Sequence, residues 1–295
     1  MDLSSIAALA TAFFWACSSM LAVYPVQQLG SFTFNRIRLQ AIFVLLCVLV
    51  LITGGWRTLG SQYIFALALS GFIGILLGDS LLYASLQRIG PRRNSILFST
   101  HAPMTAILSF LVLDERLSPI AVGGVAFVIV GVMLAIAFGH NGRQKHPWES
   151  VRGSLVIGVG IALLAALCQA VSSMIAKPVM ASGVDPIAAS VVRVSTAVLC
   201  FTLLGFFPQL RPTVPITPRL FLQSTASGLC GMVLGMTTLL FALAHGQTGL
   251  VATLSSTSPI MILALLWLHT KKRPSLGAWI GAAIAIAGIA LIFNR

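Results

Sequence analysis

Apolar runs of about twenty residues recur from one end of this 295-residue chain to the other, and nothing else restricts its fold so severely. That is the length a helix needs to cross the hydrocarbon core of a bilayer. Backbone groups inside lipid are satisfied only within a helix or a closed barrel, and the short alternating pattern of a membrane barrel is missing. Only 8% of residues are charged, against about a quarter in soluble domains. The fold class is therefore an all-α integral membrane protein.

The runs predict ten transmembrane helices near 4–24, 34–53, 63–86, 95–113, 118–138, 153–176, 186–207, 221–243, 250–269 and 275–293. A polar linker at 139–152 divides them into a first five-helix repeat, 1–138, and a second, 153–295. The two sets share motifs in the same order. "SSMLAVYP" (18–25) matches "SSMIAKP" (172–178), and "SGFIGILLGDSLLY" (70–83) matches "SGLCGMVLGMTTLLF" (227–241). "FSTHAP" (98–103) matches "LSSTSP" (254–259), and "GGVAFVIVGVML" (123–134) matches "IGAAIAIAGIAL" (280–291). An internal duplication accounts for this order.

Five is odd, so the second copy must enter the membrane from the opposite side. The loop charges agree. Thirteen Lys and Arg residues, Arg36 and Arg38 among them, fall on one side under this arrangement, and four on the other. Arg193 lies inside a span and belongs to neither. The fold expectation is thus two inverted five-helix repeats. The basic side reads as cytoplasmic, with both termini outside. The formal charge of +12 serves orientation and anionic lipid, and nucleic-acid binding is excluded as its cause. The N-terminal run has no basic leader and reads as a retained span. Cys17, Cys47, Cys168, Cys200 and Cys230 have no disulfide or zinc spacing, and no motif calls for a cofactor or a metal.

Inverted repeats suit alternating access, in which two halves open one midplane site to each side in turn. Pro103 and Pro259 stand at matched places in the fourth and ninth spans, and Pro25 and Pro178 at the ends of the first and sixth. All four are candidate hinges, because proline removes a backbone hydrogen bond. Gly71, Gly74 and Gly78, with Gly228, Gly231 and Gly235, form small-residue faces for close helix packing.

Asp79 is the only acid within a span, and its counterpart in the second repeat falls near Met236. An aspartate at depth is costly and faces a polar interior. It serves as a protonatable coupling group, as a counter-charge for a substrate amine, or as half of an ion pair with a buried arginine. Arg193 lies two turns into its span, placed to hold a substrate carboxylate or phosphate or to reach the headgroups. For Arg36 and Arg38 the headgroup reading is preferred. Tyr83 shares the face of Asp79. His101 is a titratable or simply hydrogen-bonded group. Trp15, Gln169, Ser172 and Ser173 complete the candidate lining on the first and sixth spans.

These residues resemble the EamA-type permeases of the drug/metabolite transporter superfamily. "FFWACSSML" is similar to that family's Trp-small opening, and "SSMIAKP" carries its lysine, although Gln169 stands where tryptophan is usual. Residues 83–136 match best, with a spaced proline, an acid-bearing turn at Asp114 and Glu115, and a glycine-rich fifth span. The second copy has Thr270 and Lys271 at that turn. The resemblance implies a ten-helix secondary transporter with a central cavity, often an exporter of amino acids or other small metabolites. It also implies termini in the cytoplasm, opposite to the charge count.

No paired intramembrane carboxylates, Gly-x-Ser-Gly nucleophile or His-Glu-x-x-His helix is present, which argues against an enzyme. A single acid hardly supplies a channel's selectivity ring. The reading is an exporter of a small polar metabolite in a bacterial inner membrane, with protons as a candidate coupling ion. A flippase for a lipid-linked sugar is the alternative.

Overall fold

The structure, a computed structural model, describes residues 2–114, 118–137, 153–207, 214–270 and 275–293. The linker expected at 139–152 and the acid Glu115 lie outside the described residues. The described residues contain no strand. The helices are α1 (Leu3–Thr53), α2 (Ser61–Gly71), α3 (Ser80–Ser99), α4 (His101–Leu113), α5 (Pro119–Ala137) and α6 (Leu155–Ala181). They continue as α7 (Pro186–Leu204), α8 (Pro218–Gly228), α9 (Met236–His245), α10 (Thr248–Ser255), α11 (Ser258–Thr270) and α12 (Leu276–Phe293). Two π-helical stretches, Phe72–Asp79 and Leu229–Gly235, join α2 to α3 and α8 to α9. Among the described residues, six helical stretches are long and apolar enough to cross a membrane, and three shorter apolar ones accompany them.

At 51 residues α1 would be about 77 Å long if straight, more than twice the hydrocarbon thickness. It is not straight. Gly30 has φ 76° and ψ 162°, a conformation that glycine alone adopts freely, and the helix breaks there. The two spans expected at 4–24 and 34–53 fall on either side of that break. Pro25 does not end the first span, and Pro178 does not end the sixth: helix continues through both, to Gly30 and to Ala181. A proline forfeits one hydrogen bond to the preceding turn, whereas a left-handed glycine takes the chain out of the helix altogether.

The other two prolines coincide with real interruptions. Pro103 cannot donate to the carbonyl of Ser99, nor Pro259 to that of Ser255, and α3 and α10 end at those serines. Single turns centred on Thr100 and on Ser256–Thr257 link them to α4 and α11.

The helices pack through small residues. A Cβ on Gly131 of α5 would meet the backbone nitrogen of Ala285 and the Gly281 carbonyl of α12. One on Gly288 of α12 would meet the Gly124 carbonyl and Val128 nitrogen of α5, both at 2.6 Å. Serines tie α1 to α8 and α2 to α6. Ser18 donates to the Ser227 carbonyl at 2.8 Å, and Ser227 donates back to that of Ser18 at 2.9 Å. Ser70 and Ser172 exchange the same pair of bonds, at 2.8 and 2.9 Å. Lys177, late in α6, donates to the carbonyls of Leu243 and Gly246 and so satisfies the end of α9.

Candidate functional site

Burying a charge among apolar helices is costly unless a partner and hydrogen bonds go with it. This chain places a guanidinium there in two helices. Arg38, in the second half of α1, is only 1% exposed. Its Nη2 pairs with Asp79 Oδ2 at 2.5 Å, and its Nη1 donates to the Tyr83 hydroxyl oxygen at 2.6 Å. The guanidinium carbon lies 4.7 Å from the centre of the Tyr83 ring and 5.5 Å from that of Phe34, within cation–π range. The glycine faces make room for this. A Cβ on Gly228 would come 2.7 Å from Arg38 Cγ, and one on Gly231 would come 2.6 Å from the Ser18 hydroxyl.

Arg193, in α7, is buried to the same extent. Its Nη2 donates to the Ser172 hydroxyl at 2.9 Å, and Gly74 leaves space for both groups. Among the described residues its Nε and Nη1 have no partner, nor has the Nε of Arg38. The two arginines thus occupy corresponding surroundings, each beside a serine of a matched motif and a glycine of a π-helical stretch. Among the described residues only Arg38 has a carboxylate.

Asp79 ends the first π-helical stretch. Such stretches are rare and insert an extra residue into the turn, which re-aims the side chains that follow. The Asp79 side chain is 14% exposed, and it lines a cavity together with Arg38 and Tyr83. Trp15, Phe98 and His101 form one wall. Their ring centres are 5.2 to 6.4 Å apart, in edge-on and tilted contact. Gln169 lines the opposite part, its amide donating to Ser173 at 3.4 Å. The ends of the interrupted helices, at Ser99 and Ser256, open onto the same space.

Of the residues expected in the site, Asp79, Tyr83, His101, Trp15 and Gln169 line the cavity. Arg193, Ser172 and Ser173 are buried and are not among its lining residues. Arg38 was expected to reach the headgroups and instead sits in the interior, because the Asp79 carboxylate and Tyr83 hydroxyl satisfy it there. Its removal from the loop count lowers the basic side by one and leaves the imbalance standing. Ser18, Ser19, Asn94 and Ser95 also line the cavity and were not anticipated. For Ser18 a signal existed in the matched motifs, since its counterpart Ser172 is a candidate lining residue.

The sequence profile described as the EamA-like transporter family matches residues 3–137 and 156–294. An uncharacterized transporter of Bacillus subtilis (strain 168), YetK, is 27% identical over 186 residues, which cover 62% of this chain and 52% of that protein. The chain therefore aligns with about half the length of that relative. A solved crystal structure of a protein superposes with a TM-score of 0.77 over 98% of this chain and 95% of the other. At 16% identity, that likeness concerns the fold alone. With the apolar helices, the family match makes this an integral, multi-pass membrane protein, and it favours a transporter over an enzyme. By the match along both halves of its length, the chain belongs to the EamA-like transporter family.

Proposed function

We propose that this protein is a secondary transporter that exports a small polar metabolite of amino-acid size by alternating access, through ten helices arranged as two inverted repeats. The observation that carries the reading is the twofold recurrence of one set of contacts. Ser18 meets Ser227 as Ser172 meets Ser70. Gly131 meets α12 as Gly288 meets α5. Both π-helical stretches fall at matched places, and so do both proline-linked interruptions. Contacts that recur in this way are what a chain related to itself by a pseudo-twofold axis produces, and exchange of conformation between such halves moves a midplane site from one side to the other. Export, and a bacterial inner membrane, are the direction and location that the family resemblance implies. Asp79 is the candidate for proton coupling or for a substrate amine, and the boundaries 1–138 and 153–295 define the halves.

A thermal-shift screen of the purified chain against small metabolites tests this first. A ligand at one hundred times its dissociation constant adds about 2.7 kcal/mol. A metabolite that stabilises the protein is then expected to exchange across proteoliposomes in counterflow. If every stabilising metabolite fails to exchange, the transporter reading falls.

The hinge assignment makes a separate prediction. Pro103→Ala and Pro259→Ala each restore a missing helix hydrogen bond, so thermal stability is expected to hold or rise. Counterflow is expected to slow at least severalfold, with ligand affinity changed less than twofold. Unchanged counterflow in both variants would remove the prolines from the moving parts.

A further inference from the structure

Three charged side chains lie in this interior: Arg38 and Asp79, which line the cavity, and Arg193, which is buried outside its lining. Two are positive and one is negative. Asp79 is bound to Arg38, and among the described residues no carboxylate is bonded to Arg193. Within those residues, two nitrogens of Arg193 and one of Arg38 are buried without a hydrogen-bond partner. Helical membrane proteins seldom leave a guanidinium in that condition, because the unpaired charge costs far more than a paired one. A protein that nevertheless does so has a charge to offer.

We infer that the missing negative charge is the substrate's, and that the cavity takes an organic anion, a carboxylate on an apolar or aromatic body, in preference to an amine or a zwitterion. This inference rests on the transporter reading and names its substrate class.

The rest of the cavity fits that class. Apart from Asp79, the lining has no acid among the described residues, and Ser19 and Gln169 can each donate a hydrogen bond. Trp15 and Phe98 offer ring faces and edges to an apolar body. An amine would have only Asp79, whose Oδ2 is already held by Arg38. A zwitterion brings no net charge and leaves the excess positive charge where it was. A net anion removes it. The recurrence of the arginine–serine–glycine set at Arg193, Ser172 and Gly74 provides a second place for the same anion if the halves exchange conformations.

Three probes with one body separate the cases: 3-phenylpropionate, phenethylamine and phenylalanine, which carry the carboxylate, the amine and both. Binding to the purified full chain in nanodiscs, measured by calorimetry, is expected to be at least tenfold tighter for 3-phenylpropionate than for either of the others. Arg193→Gln is expected to weaken that binding at least tenfold while thermal stability holds or rises, because an uncompensated buried charge has gone. Arg193→Lys, which keeps the charge, is expected to retain most of it. If Arg193→Gln fails to fold, Asp79→Asn decides: with one negative charge fewer, the anion should bind more tightly. Preference for the amine or the zwitterion overturns the inference, as does binding of none of the three or indifference to the arginine variants. Anion binding without counterflow in proteoliposomes would instead overturn the transporter reading and leave the anion site in place.

Discussion

Arg38→Met is expected to destabilise the protein by about 3–5 kcal/mol, the cost of removing one member of a buried ion pair. The partner left behind, Asp79, is only 14% exposed, so cavity water screens little of its charge. Tyr83 loses its donor in the same step, and the stacked space over the Tyr83 and Phe34 rings loses its cation. The double variant Arg38→Met with Asp79→Asn is expected to recover most of the loss, because no charge then remains unpaired at that position. Denaturant unfolding of the four proteins of this cycle, in one detergent, gives the coupling energy directly. A single-variant loss under about 1 kcal/mol would mean that Asp79 is held by the cavity and not by Arg38. The ion pair would then be incidental to stability.

Much of this architecture can be read from the chain before any coordinates. Spanning length fixes where helices occur, since in lipid no other backbone arrangement satisfies its own polar groups. The matched motifs also point to contacts that recur, as Ser18 with Ser227 and Ser172 with Ser70. What the sequence does not show is where a helix stops. Pro25 and Pro178 look like terminators and are not, while Gly30 looks like one more small residue and breaks a 51-residue helix. The difference is a backbone dihedral, and hydropathy carries no record of it.

The site was legible to the extent that polar residues within spans are rare and expensive. That cost alone picks out Asp79, Tyr83, His101 and Gln169, all of which line the cavity. It fails for Arg38, four residues into an expected span, where a long side chain at a membrane boundary ordinarily turns outward. Only the approach of α8 and the π-helical stretch that follows it, with Gly228 and Gly231 facing it, converts that position into the interior. The glycine faces were read as helix packing. They are also the space into which the two arginines fit, and that second role needs the third dimension to be visible.

Gly131→Ala and Gly288→Ala are each expected to destabilise the protein by about 2–3 kcal/mol, the upper part of the range for overpacking a filled contact. The added Cβ at Gly131 would meet backbone atoms of α12, and that at Gly288 would meet backbone atoms of α5. No side chain can rotate out of the way, so the helices must separate along their whole contact. Within a bilayer no hydrophobic force presses them back together, because lipid tails are as apolar as the side chains, and the van der Waals contact is simply lost. The two substitutions act on one interface. The double variant should therefore cost clearly less than the sum of the singles, since the separation is already made. Gly123→Ala in α5 and Gly160→Ala in α6 are the controls: nothing lies within 4 Å of the added carbon at either place. Both should stay within about 0.5 kcal/mol of the parent or gain up to about 1 from helix propensity. Equal losses at all four glycines would show that flexibility, and not the close approach of α5 to α12, is what these residues supply.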